Sequence, residues 1–362
     1  MITRLAKKTI FEIQPYVPGK PIEEVKRELG LKDVIKLASN ENPYGPSPKA
    51  RQAVIQASRH LHRYPDGDCY YLRRELAERL KVVPSQIVFG NGSDEIIVLA
   101  VRAFVNEGDE VIIAKPSFLI YEIASRLAGA GVRAIPLKNF YYDLDGMKKA
   151  VTKKTRIIFF GNPDNPSGKY LTQKQLEDFL KGLRKDILIF IDEAYYEYVQ
   201  APDYVDSIKL LKTHQNVIVT RTFSKMYGLA GLRIGYGIAD PALAQCLNRL
   251  REPFNVNTLA QTAALACLRD RSYYSGLARK ISRQREVLYA GVAKLGLKYV
   301  ESCTNFVLID VRQKSSVIAR RLLKMGVIVR DMGFWGLNHF IRVTIGTESE
   351  NKRFLATLKE IL

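Results

Sequence analysis

Between residues 222 and 235 the chain carries Lys225 directly after Ser224, Arg233 eight residues further on, and glycines at 228, 231 and 235. A lysine here can form an imine with an aldehyde cofactor, an arginine can hold that cofactor's phosphate, and glycines let backbone come close to a ligand. Such a lysine must shed its proton easily, which desolvation and nearby positive charge such as Arg233 both promote. Thirty-three residues before Lys225, Asp192 closes the apolar run 187–191. A carboxylate leaving a buried strand there can pair with a pyridinium nitrogen, because it favours the charged form of the ring. Lysine, ring-nitrogen carboxylate and phosphate clamp are together what a pyridoxal 5'-phosphate site needs.

Further segments carry compatible chemistry. Gly92, Ser93 and Asp94 follow an apolar run and open a helix, so the first backbone amides and the Ser93 hydroxyl can cradle a phosphate; the same residues also read as an ordinary helix cap. Phe118, just after another apolar run, can lay an aromatic face against a flat ring or simply fill the core. Residues 162–168 hold two Asn-Pro steps and end in Gly168; Asn165 can donate its amide to the phenolic oxygen of the cofactor, and a plain turn is the other reading. Tyr195, three residues past Asp192, can hydrogen-bond the same oxygen, whereas Asp192 can alternatively serve as a helix cap. Arg330 and Arg342 sit in two alternating segments near the C-terminus, where an arginine either faces solvent or presents a bidentate fork to a carboxylate or phosphate.

These residues need a frame. Short apolar runs at 87–89, 110–114, 156–160, 187–191, 217–219 and 233–238 alternate with segments of helical spacing such as 94–104 and 174–183. Unbroken apolar runs suit strands buried on both faces, and the alternation predicts an α/β fold with a mainly parallel sheet covered by helices. The polar signatures all follow strand ends, so they should share the carboxyl-end rim where such sheets bind ligands. Beyond residue 257 the pattern changes to a long helical stretch at 272–295, strands at 306–310, 327–330 and 340–345, and a closing helix. This reads as a smaller α+β unit on which the first thirty residues dock.

Composition narrows the class. A chain of 362 residues with 47% hydrophobic and 26% charged residues fits a two-domain enzyme. It has no apolar stretch of the roughly 18 residues needed to span a membrane. The start, without an apolar core and cleavage site, reads as that of a cytoplasmic protein. Cys69, Cys246, Cys267 and Cys303 show no metal-ligand spacing and read as free thiols. The net charge of +19 is spread in short groups such as Arg73 and Arg74 or Arg320 and Arg321. No helix shows a continuous basic face, so nucleic-acid binding is not expected.

Over nearly its whole length the sequence resembles the class I/II aminotransferases of fold type I. Segments 14–24, 37–48, 63–66 and 326–330 resemble, within that family, the branch that acts on histidinol phosphate. The resemblance implies a large domain with a seven-stranded, mainly parallel sheet over 32–272, and a small domain from 1–31 with 273–362. It implies pyridoxal phosphate on Lys225, with Asp192 at the ring nitrogen and Tyr195 and Asn165 at the phenolic oxygen. Phe118 would stack on the ring, and Gly92, Ser93, Asp94, Ser224 and Arg233 would surround the phosphate. Tyr64 would reach in from the other subunit of a homodimer with shared sites, and Tyr16, Asn165, Arg330 and Arg342 would bind substrate. The implied reaction passes an amino group between histidinol phosphate and 2-oxoglutarate, giving glutamate. Aromatic-amino-acid aminotransferases and threonine-phosphate decarboxylases keep the same cofactor residues and differ in the pocket. A regulator built on this fold would need a DNA-binding module, for which the stretch before the first motif has no room. Phe118 stands where tyrosine is frequent and Ser167 where threonine is frequent, and segment 331–336 is not matched to the family pattern, which leaves the side-chain end of the substrate pocket open.

Overall fold

The structure, a computed structural model, describes residues 5–13 and 19–362. Its larger sheet has seven strands: β2 (Ile87–Gly90), β3 (Glu110–Lys115), β4 (Gly131–Pro136), β5 (Thr155–Gly161), β6 (Leu188–Asp192), β7 (Val217–Thr222) and β8 (Gly235–Ala239). They lie in the order β2-β8-β7-β6-β5-β3-β4, and only β8 runs antiparallel to its neighbours. The apolar runs explain why this sheet is interior. Along β6, Ile189 and Ile191 enter one hydrophobic cluster while Leu188 and Phe190 enter another, so alternate side chains feed separate cores on the two faces. Ile158 and Phe160 of β5 divide from Ile157 and Phe159 in the same way. Helix Ser93–Phe104 covers the second cluster, and helices such as Gln173–Leu180 and Thr258–Arg269 cover the first.

Strand β4 is absent from the sequence expectation. It is the sheet's edge, and its residues alternate between exposed and half-buried, with Arg133 and Pro136 among them. Charge and proline on an edge discourage pairing with another chain and also erase the apolar signature of a strand.

The smaller sheet takes β1 (Ile35–Leu37), β9 (Lys298–Val300), β10 (Phe306–Asp310), β11 (Val327–Asp331) and β12 (Phe340–Thr344), in the order β1-β11-β12-β10-β9. Only β1 pairs parallel, with β11. The expected division at residue 32 leaves Ile35–Leu37 with the larger unit, yet this segment hydrogen-bonds into the smaller sheet. Helices Arg271–Lys294 and Ser315–Lys324 pack against it, and Glu348–Ile361 packs on those two helices. The last begins at a reciprocal cap: the Glu350 amide donates to Thr347 Oγ1 at 3.3 Å and Glu350 Oε2 accepts from the Thr347 amide at 2.7 Å. The chain leaving β1 at Leu37 therefore runs from the small sheet straight to the carboxyl rim of the large one.

Candidate active site

A cavity of about 280 Å³ opens on that rim. Its floor comes from the ends of β5, β6 and β7 and the start of helix Ser93–Phe104; its other side comes from Ser39, Asn40 and Glu41 after β1, from Arg342 on β12, and from Trp335.

Asp192, the last residue of β6, is 5% exposed. Its Oδ1 accepts from the Ala194 amide at 3.1 Å and from Thr220 Oγ1 at 3.4 Å, and its Oδ2 accepts from Tyr121 Oη at 2.8 Å. Burial pushes its pKa up to about 6, against the opposing pull of the Tyr121 hydrogen bond. Next along the chain, Glu193 turns into the protein and meets Arg221, with Nε and Nη2 each 2.8 Å from Oε2, which fastens the end of β6 to β7. Tyr121 was not singled out from the sequence. It lies in the first turn of helix Leu119–Leu127, stacked on Phe159 at 4.8 Å, and only the sheet's geometry brings it to Asp192.

Lys225 lines the cavity three residues past β7. Its Nζ lies 3.3 Å from the Ser39 carbonyl oxygen. Desolvation lowers its pKa to about 8, and the charges of Arg342 and Arg233 act in the same direction. The sequence pointed to Arg233 for this effect; Arg342, more than a hundred positions away, contributes the larger share.

Tyr195 is buried, and its hydroxyl oxygen accepts from Asn40 Nδ2 at 2.9 Å. Asn40, inside the family-like segment 37–48, is a second residue to which the sequence assigned no role. It adopts φ +54°, a left-handed conformation that asparagine tolerates better than most residues. Its amide donates to Thr344 Oγ1 at 2.9 Å and its carbonyl accepts from Asn305 Nδ2 at 2.9 Å, so the small sheet fixes the residue that holds Tyr195.

Opposite, Arg233 Nη2 lies 3.6 Å from Asp94 Oδ2, and its Nη1 lies 3.4 Å from Ser224 Oγ. Helix Ser93–Phe104 starts beside this guanidinium. Gly92 precedes it at φ +84°, and a side chain there would run into Arg233, with Cζ only 3.2 Å from the added carbon. Gly235 is equally constrained: a β-carbon would lie 2.5 Å from the Ser93 amide nitrogen. Two glycines thus keep open a pocket in which a helix start, a serine hydroxyl and an arginine converge, as an anion requires.

Arg342 is 6% exposed, donates from Nη1 to Asn165 Oδ1 and from Nη2 to the Ala38 carbonyl at 3.1 Å, and stands 5.1 Å over the Phe306 ring. Arg330 pairs with Arg342 in register across β11 and β12, which places both arginines on one face of the small sheet. Like charges so placed repel, and an anion bound between or beside them relieves the repulsion.

Most of the expected site residues therefore meet in one cavity: Ser93, Asp94, Phe118, Asn165, Asp192, Tyr195, Ser224, Lys225, Arg233 and Arg342 all line it. Gly92 stands behind Arg233. Arg330 does not line the cavity; Trp335 stands over it. Tyr64 is 82% exposed, stacked on Phe254 at 4.8 Å and away from this chain's own cavity. Tyr16 lies outside the described residues. Among the described residues, no cluster of histidine, cysteine or acidic side chains could hold a metal ion.

Known proteins match this chain over nearly its whole length. The family described as aminotransferase class I and II matches residues 32–358. The histidinol-phosphate aminotransferase of Moorella thermoacetica is 48% identical over 358 residues, covering 98% of this chain and 92% of that protein. Histidinol-phosphate aminotransferase 2 of Carboxydothermus hydrogenoformans is 43% identical, with 99% of each chain covered. The crystal structure of the histidinol-phosphate aminotransferase of Sinorhizobium meliloti, in complex with pyridoxal-5'-phosphate, superposes with a TM-score of 0.91 at 30% identity, covering 98% of this chain and 97% of that one.

Proposed function

The chain belongs to the class I and II aminotransferase family, and we propose that it moves the amino group of histidinol phosphate to 2-oxoglutarate, giving imidazole acetol phosphate and glutamate, with pyridoxal 5'-phosphate as cofactor. The observation that carries the reading is the single cavity in which a lysine of lowered pKa, a buried carboxylate and a glycine-bounded anion pocket face one another.

The residues present fit the cofactor. When bound, pyridoxal phosphate supplies an electron sink that lets the substrate's α-carbon give up a proton. The start of helix Ser93–Phe104, Ser224 and Arg233 hold its phosphate, with Asp94 orienting the guanidinium. Phe118, which lines the cavity, would offer an aromatic face to the ring. Asp192, with both oxygens already hydrogen-bonded, presents a fixed carboxylate to the ring nitrogen, and a cationic nitrogen there favours its ionised form. Tyr195, held by Asn40, and Asn165 serve the phenolic oxygen. Lys225 Nζ takes the proton and returns it. With a pKa of about 8, roughly a tenth of it is neutral at pH 7, against well under a thousandth for an ordinary lysine. Arg342, with Tyr16 and Asn165, receives the anionic end of the substrate, which is a phosphate in one half-reaction and a carboxylate in the other, and Arg330 beside it adds to the hold on the more highly charged phosphate.

The substrate preference tests this reading. A phosphate carries about −1.5 to −2 charge, and losing a charge-assisted contact to a desolvated anion costs roughly 2 kcal/mol or more. Free histidinol should therefore have a kcat/KM at least about 30-fold below that of histidinol phosphate. Equal values would overturn the donor assignment, and a better rate with phenylalanine or tyrosine would move the enzyme to the aromatic aminotransferases.

The protein works as a homodimer with shared sites. The exposed Tyr64, away from this chain's own cavity, supports this reading because it can complete the phosphate pocket of a second copy. Mixing inactive Tyr64→Ala and Lys225→Ala proteins should restore up to about a quarter of wild-type activity, since half the dimers are mixed and each mixed dimer carries one intact site. No recovery in demonstrably mixed dimers would place Tyr64 outside the partner's site. Free Cys69, Cys246, Cys267 and Cys303 suit the reducing cytoplasm, where we place the enzyme; among the described residues, no helix is long and apolar enough to cross a membrane.

A further inference from the structure

The turn after β11 carries the chain's only tryptophan, Trp335. The structure builds it a firm support. After β11, residues Gly333–Trp335 form a single 3-10 turn closed by Gly336 at φ +79°. Asp331 Oδ1 anchors the turn, accepting from the Gly333 amide at 3.0 Å and from Ser315 Oγ at 2.6 Å. Met332 beneath is fully buried, and Leu337 and Phe340 pack around it. Two contacts then fix the indole itself. Its Nε1–H donates to the Ser117 carbonyl at 3.1 Å, in the loop that carries Phe118, and the Arg330 guanidinium lies 4.8 Å from the ring centroid. The ring lines the cavity that holds Lys225 and Arg342, and with Phe118 it also lines an adjoining cavity of about 390 Å³. Trp335 is thus where the arginine-bearing strand of the small sheet touches the Phe118 loop of the large one.

We propose that Trp335 sets donor specificity, giving a flat wall for the planar imidazole ring of histidinol phosphate and holding Arg330 for its phosphate; this rests on the donor assignment made above. One cavity must accept two amino compounds in turn. Glutamate and histidinol phosphate both bring an anion that Arg342 can take, but only histidinol phosphate brings a ring and a phosphate whose extra charge calls on Arg330 as well. An indole with its polar N–H already satisfied offers the ring an apolar face, and ring faces attract one another in offset or edge-on contact. The same indole restrains the Arg330 guanidinium by cation–π attraction. A residue with this task affects one half-reaction and spares the other, whereas a merely structural residue affects both alike.

The test uses the holoenzyme and both half-reactions. Trp335→Ala should raise the KM for histidinol phosphate about tenfold or more, the scale of a lost aromatic contact together with a loosened arginine. It should leave the half-reaction with glutamate within about threefold of wild type. Trp335→Phe, which keeps a ring face, should recover most of the difference. Because Trp335 is the only tryptophan, its emission reports the wall directly. 3-(Imidazol-4-yl)propyl phosphate, which lacks the reacting amine, should change the emission of the wild-type holoenzyme, while glutarate should not. If the analogue competes with histidinol phosphate without altering emission, or if Trp335→Ala slows both half-reactions equally or neither, Trp335 does not set specificity although the donor assignment stands. If wild type neither reacts with histidinol phosphate nor binds the analogue, the donor assignment fails and takes this inference with it.

Discussion

Lys225→Ala is expected to abolish transamination, lowering kcat by about 10⁴-fold or more, the upper scale for a positioned acid–base group. The fold should survive. Lys225 Nζ has a hydrogen bond to the Ser39 carbonyl, but its charge is desolvated and faces two arginines, so the native state gains little from it. With the cofactor removed from both, thermal unfolding of the variant should start no lower than that of wild type. Borohydride treatment should lock the cofactor onto a peptide containing Lys225 in wild type and onto no peptide in the variant. More than about one per cent residual turnover, or labelling at another lysine, would remove Lys225 from the chemistry.

Asp192 carries the second large effect. Asp192→Ala should retain part of the cofactor, because the phosphate pocket is built from other residues, yet lose on the order of 3 kcal/mol of barrier lowering, or about 10²–10³ in kcat. Asp192→Asn keeps the shape and removes the charge, so it should fall close to the alanine variant; Asp192→Glu should be milder. Near-normal turnover in Asp192→Asn would show that shape rather than charge matters at this position. The surroundings of the carboxylate explain why so much is expected of it. Tyr121, Thr220 and the Ala194 amide hold it in one orientation, and burial makes its charge costly without a cationic partner.

What the sequence reveals of this site follows from where each residue sits. Asp192 ends a buried apolar strand, and Lys225 and Ser93 each come three residues after one, so the strand pattern alone brings them to a common rim. Asn40 and Tyr121 have no such local marker. Asn40 matters because β1 leaves the small sheet beside Tyr195, and that pairing joins residues near 35 to residues near 328. Tyr121 looks like any aromatic on a helix until Asp192 is placed above it. The same reasoning separates the strands. β5, β6 and β7 are buried on both faces and read as apolar runs, whereas the edge strand β4 and the three-residue β1 and β9 have too little apolar pattern to stand out. Arg330 and Arg342 could each be suspected, but their common register across β11 and β12 is a property of the sheet.

The most direct test of the proposed reaction is a pair of half-reactions on one sample of holoenzyme, followed by the cofactor spectrum. Histidinol phosphate without an acceptor should bleach the visible band and yield one equivalent of imidazole acetol phosphate per site. Adding 2-oxoglutarate should then restore the band and release one equivalent of glutamate. An unchanged spectrum with histidinol phosphate, alongside a complete change with phenylalanine or tyrosine, would contradict the assignment.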